Sequence, residues 1–139
     1  MSKAMQELED FYLLTIRAKN KQDRIETLES MINSVTSYSD NSPVGGGLAK
    51  REESIARLID MKKEAKPVIE YYLEEHEKIV KKIESVESDL HKEILLQRYV
   101  DGKLWQEIAD NLNYSESHVR KYLHYQALDA YEKVRTYNR

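Results

Sequence analysis

Leu104 to Leu123, LWQEIADNLNYSESHVRKYL, carries the spacing of small, apolar and turn-forming residues expected of a helix-turn-helix. Ile108, Ala109 and Leu112 form one apolar stripe of a first helix, with alanine where a crossing helix comes closest. Asn113 marks the turn, because asparagine tolerates a positive φ at little cost. Ser115 follows as a helix N-cap, its hydroxyl able to accept from the N–H groups of the next turn. Val119, Tyr122 and Leu123 then supply the inward face of a second helix. Glu116, Ser117, His118, Arg120, Lys121 and His124 are left outward, a polar and cationic set suited to base edges and phosphates of double-stranded DNA. An ordinary helical hairpin shares the apolar spacing, but here Ala109, Asn113, Ser115 and Val119 are all in step.

The rest of the chain bounds what this unit can belong to. Its 139 residues suit one domain or two small ones, and 34% charged against 40% hydrophobic residues describe a helix-rich, water-compatible chain. No stretch approaches the ~20 apolar residues of a membrane helix. A cationic start followed by an apolar run and a cleavage site is also missing, so a cytoplasmic protein without a membrane partner is expected. The chain has no cysteine. His76, His91, His118 and His124 lack a HExxH-type arrangement, so neither a metal nor another cofactor is expected. Glu74, Glu75 and Glu77 lie on a charged helical face and read as solvated surface. With no activated nucleophile or acid/base pair in sight, an enzyme is not expected.

The formal net charge of -3 is unusual for a nucleic-acid binder. Its distribution matters more than the total. From Ser115 onward Arg120, Lys121, Lys133, Arg135 and Arg139 face only Glu116, Asp129 and Glu132, so the acidic excess lies upstream. Modest binding per subunit favours a dimer or a partner protein.

Upstream, residues from about Met5 to Val35 form one long helix, with Leu14, Ala18, Ile25, Leu28, Ile32 and Val35 at three- and four-residue steps. Lys21 interrupts the stripe. Thr36 to Gly47, TSYSDNSPVGGG, is a loop, and no Lys-Ser or Lys-Thr follows its glycines to make a phosphate cradle. A second long helix runs from about Ala49 to Val86 on the seam Ile55, Leu58, Lys62, Ala65, Ile69, Tyr72, His76, Ile79, Ile83 and Val86, reaching Leu90. Pro67 sits inside it, but the stripe keeps its phase from Ala65 to Ile69, which predicts a kinked helix rather than a break. Lys62 snorkels, His76 is a partly buried histidine, and Tyr71 and Tyr72 are packing residues. Two such helices form an antiparallel hairpin with a thin core, so residues 1–88 are expected to oligomerise as a homodimer. Ser85, Ser88 and Asp89 mark the junction to a DNA-binding domain over 89–139, which opens with a short helix from Leu90 to Val100 burying Leu90, Ile94, Leu95 and Tyr99. Asp101 and Gly102 turn the chain into the helix-turn-helix, whose second helix runs on through Ala127, Leu128, Tyr131 and Val134 to a basic end at Tyr137, Asn138 and Arg139. The expected fold class is therefore all-α.

The run LLQRYVDGKLWQEIADNLNYSESHVRKYL, Leu95 to Leu123, resembles region 4 of bacterial sigma-70-type factors and, more closely, the phage-encoded RinA/ArpU-type late transcription regulators. Arg98-Tyr99, Asp101-Gly102-Lys103, Trp105, Glu107-Ile108-Ala109, Leu112, Tyr114-Ser115 and His118-Val119 carry the likeness, over about a third of the chain. It implies a sigma-region-4-like helix-turn-helix in a regulator of phage or prophage late genes, with bacterial RNA polymerase as a further partner and the host nucleoid as its place when bound. Base-reading positions then fall on Glu116, Ser117 and Lys121, and phosphate-facing ones on His118 and Arg120. Three departures stand out. Leu104 occupies a place where the family often has a Ser or Thr cap, a difference worth ~1 kcal/mol. The interval from Val119 to Ala127-Leu128 is one residue longer than the sigma pattern. Glu116 and Ser117 replace a common Arg-Glu pair, so a sigma-like target sequence is not implied. Two other function classes fit the composition: a small-terminase-like packaging or assembly protein, although there the DNA-binding unit usually comes first, and a helical protein-interaction module that does not bind DNA.

Overall fold

A computed structural model describes residues 2–38 and 46–137, and every regular element among them is helical. The order is α1 (Lys3–Tyr38), α2 (Gly46–Glu84), α3 (Asp89–Leu95), α4 (Trp105–Leu112), α5 (Glu116–His118) and α6 (His124–Tyr137). Two π-helical turns, Leu96–Val100 and Val119–Leu123, extend α3 and join α5 to α6. Residues 36–38 and 46–47, expected in the loop, are instead helical, while residues 39–45, the side chain of Val35, and the chain end at Asn138 and Arg139 lie outside the described residues.

The chain divides into two compact units, one made of residues 1–15 with 72–139, the other of 16–71. These limits do not coincide with the expected boundary at 88/89. In the second unit α1 and α2 run antiparallel. Gln22, Ile25 and Glu29 line one groove with Lys62, Ala65, Ile69 and Glu70, and the Lys62 ammonium reaches Glu29 at 2.8 Å. Lys62 thus keeps its charge outside the seam, as snorkelling requires. Pro67 is accommodated inside a continuous α2.

The first unit holds the main core. Its helices start where local chemistry satisfies the free N–H groups: Ser2 Oγ accepts from Met5 N at 3.1 Å, and Ser88 Oγ from His91 N at 3.3 Å. Ala4, Leu8 and Phe11 of α1 are buried with Ile79, Ile83 and Val86, and pack with Ile94, Leu95, Ile108, Val119, Ala127 and Tyr131 in one cluster. The sequence stripe had begun only at Leu14, so this use of the first three turns of α1 is a correction. Phe11 stacks on Tyr72, with ring centroids 5.9 Å apart, and His76 stands against both rings. Tyr72 packs as expected, whereas Tyr71 is exposed.

Glu7 ties three helices of this unit together. One carboxylate oxygen accepts from Lys82 Nζ at 2.7 Å, and the other accepts from the Tyr131 hydroxyl at 2.7 Å. Burial and the Glu7 contact hold the Tyr131 hydroxyl protonated far above the ordinary phenol range. Because α1 and the end of α2 complete the core, a fragment spanning 89–139 lacks six buried apolar residues, each worth about 1.5–3 kcal/mol if fully buried for the larger ones. Far-UV circular dichroism should find that fragment largely unfolded while the full chain unfolds cooperatively. Glu7→Ala in the full chain should cost about 1–3 kcal/mol in urea unfolding, since it leaves the half-buried Lys82 and the buried Tyr131 without their acceptor.

Candidate nucleic-acid interface

The helix-turn-helix is set by its turn. Asn113 ends α4 at φ 61°, ψ 40°, the one positive-φ residue other than glycine among those described. Its N–H donates to Asp110 O and that of Tyr114 to Ala109 O at 3.0 Å, the paired closure of a Schellman motif that fits asparagine at its left-handed position. Ser115 is extended, and its hydroxyl accepts from His118 N at 3.2 Å. Leu104 provides no side-chain cap to α4. Ile108 and Ala109 are buried, with Leu112 half-buried beside them.

Ahead of α4 the π-helical turn of Leu96–Val100 closes when Asp101 N–H donates to Leu96 O at 2.9 Å, and Gly102 follows at φ 72°. Buried Gln97 accepts from Asn111 Nδ2 at 3.0 Å and donates to Glu93 at 3.1 Å, joining α4 to α3. The Arg98 guanidinium lies 4.6 Å over the Trp105 ring while donating to Lys103 O.

Beyond Ser115 the second helix changes its pitch. The N–H of His124 donates to Val119 O, five residues back, so Val119–Leu123 is a wide turn. In an uninterrupted α-helix the inward companions of Val119 are the residues three and four further on, Tyr122 and Leu123. The wide turn moves that pair on by one, to Leu123 and His124. Tyr122 is accordingly 64% exposed, and His124 only 4% exposed. Both expectations are corrected: Tyr122 does not pack inward, and His124 does not face outward. Beyond this turn Ala127, Leu128 and Tyr131 return to the core.

His124 instead makes a core contact. Its Nε2 lies 2.6 Å from the Tyr99 hydroxyl, and its ring meets the edge of Trp105 at 4.6 Å. Burial, and secondarily the Arg98 charge, bring the imidazole down to about 4. Burial keeps the phenol of Tyr99 protonated well beyond its ordinary range, so Tyr99 donates and neutral His124 accepts.

The remaining candidates form three rows at four-residue spacing. Glu116 and Arg120 are ion-paired at 3.1 Å on one flank. Ser117 and Lys121, both exposed, make the crest, and Lys121 has no carboxylate partner among the described residues. On the other flank His118 stacks against Tyr122, centroids 5.7 Å apart and planes at 24°, and Tyr114 lies tilted against it at 5.5 Å and 32°. The structure therefore brings Glu116, Ser117, His118, Arg120 and Lys121 onto one surface and separates His124 from it. The sequence reading missed Tyr114 and Tyr122 as members of that surface, although their four-residue spacing about His118 was visible. Among the described residues no group of three or more His, Asp or Glu side chains is placed to hold a metal ion, and no helix is long and apolar enough to cross a membrane.

No protein-family model, curated protein or solved structure matches the chain.

The His124 contact predicts a pH dependence of stability. An unfolded histidine takes up its proton near pH 6.5, whereas the folded site resists until about 4. Below 6.5 the unfolded state binds more protons, so stability is lost as pH falls from about 6.5 to about 4, by about 3 kcal/mol at most. Urea unfolding of wild type and His124→Gln across that range should show a shallower loss in the variant.

Proposed function

We propose that this chain is a sequence-specific DNA-binding transcriptional regulator of phage or prophage late genes, acting through a sigma-region-4-like helix-turn-helix. The observation that carries the reading is the exposed Ser117–Lys121 crest at the start of a helix that follows a tight left-handed turn. A helix so presented fits the major groove with its first residues against base edges. Lys121 donates to guanine O6 and N7, Ser117 serves a base or a phosphate, and Glu116 accepts from cytosine N4 when Arg120 releases it. Arg120 and His118 position the helix on the backbone.

Dimerisation belongs to the same proposal. In the unit of residues 16–71, Ala18, Ile25, Ile32 and Ala65 are buried, but Leu28, Ile55, Leu58, Met61, Val68 and Ile69 are only half-buried. A second copy covering that strip doubles the number of reading helices without adding charge to either chain. Contact with bacterial RNA polymerase is the further expectation of the sigma-like resemblance.

Selection from random duplexes should enrich one motif, two-fold symmetric if the dimer binds as a unit. On that duplex, fluorescence anisotropy should find Lys121→Ala weaker by ~1–3 kcal/mol with relaxed base preference. Arg120→Ala should weaken cognate and scrambled duplexes alike. Equal losses for both variants on both duplexes contradict the assignment, and absence of salt-dependent retention of wild type on heparin or duplex DNA favours an interaction module instead.

A further inference from the structure

A helix with its side chains is about 10–12 Å across, close to the ~12 Å width of the major groove, so a helix seated there meets a phosphate backbone on each flank. Here the two flanks differ. One carries Glu116 and Arg120, whose charges already neutralise each other. The other carries the Tyr114, His118 and Tyr122 rings in mutual contact, His118 stacked on Tyr122 and Tyr114 tilted against His118. Resting on the DNA-binding reading above, we infer that this aromatic row is a phosphate-contacting flank, seating the helix against one strand of duplex DNA through the hydroxyls of Tyr114 and Tyr122.

Three features support that occupant. The rings are exposed, with Tyr114 43% and Tyr122 64% accessible, and each ends in a hydrogen-bond donor rather than a purely apolar edge. The ring contacts from Tyr114 through His118 to Tyr122 order the row before docking, which lowers the entropy lost on binding. The row also lies beside the Lys121 crest and opposite the Glu116 carboxylate, so an anionic partner suits it better than an apolar one. Phenol hydroxyls contact phosphate without entering the cation count that sets the salt dependence of binding. This row can therefore add affinity to a chain whose net charge is -3. It acts by positioning, and carries no base information.

The test uses the full chain and two mixed-sequence duplexes of unrelated sequence, with anisotropy read over a range of salt. The double variant Tyr114→Phe/Tyr122→Phe keeps both rings and removes both hydroxyls, and Tyr71→Phe in the other unit is the control. The double variant should bind both duplexes at least about tenfold more weakly, as expected for losing hydrogen bonds to charged acceptors. Its salt slope should equal that of wild type, whereas losing one phosphate-bound cation changes the slope by about 1. Unchanged affinity in a chain that otherwise binds overturns the inference and leaves the DNA-binding reading standing. Loss on only one duplex also overturns it, since the tyrosines then read bases, as does a slope that falls. If wild type binds neither duplex at low salt, the DNA-binding reading fails and this inference with it.

Discussion

The 2.6 Å contact between Tyr99 and His124 fixes the rotation of the second helix of the helix-turn-helix. Each partner sits in or directly after a π-helical turn, and the bond closes only because the turn of Val119–Leu123 brings His124 round to the core. A buried imidazole without an acceptor or donor partner is costly, so the bond and the wide turn support each other. The same rotation turns Tyr122 out and places it over His118. One buried polar pair thereby decides which side chains are available on the far side of the helix.

That arrangement needs a wall to lean on, and the first turns of α1 supply it. Glu7 holds Lys82 and Tyr131 from two other helices, while Leu8 and Phe11 fill the space against Ile79, Ile83 and Val86. Residues at the two ends of the sequence thus belong to one core. The glutamate is only partly buried, so its worth comes from satisfying a buried phenol and fixing three helices together rather than from the ion pair as such.

The helical class, the paired seams of α1 and α2, the left-handed Asn113 and the cap at Ser115 were all legible in the sequence, because each is a local rule with a dedicated residue type. The placement of Ala4, Leu8 and Phe11 was less so, since their partners lie at the far end of the chain and no local pattern names them. The π-helical turns escaped for a different reason. Helical periodicity assumes about 3.6 residues per turn throughout, and a single wide turn shifts every later residue by one place. Tyr122 and His124 were exchanged for this cause alone. The one visible signal was the interval between Val119 and Ala127-Leu128, a residue longer than the resemblance implies. Gln97 gave no signal: its burial depends on Asn111 and Glu93 both reaching it.

A chain without cysteine permits a direct measurement of that rotation, because each introduced thiol is the sole site of maleimide reaction. Lys121→Cys, Tyr122→Cys and His124→Cys should be compared for labelling rate under native conditions. Fast reaction at 121 and 122 with slow reaction at 124 is the predicted result. Fast reaction at 124 with protection at 122 is the phase of an uninterrupted α-helix, and contradicts the account of the helix's exposed face.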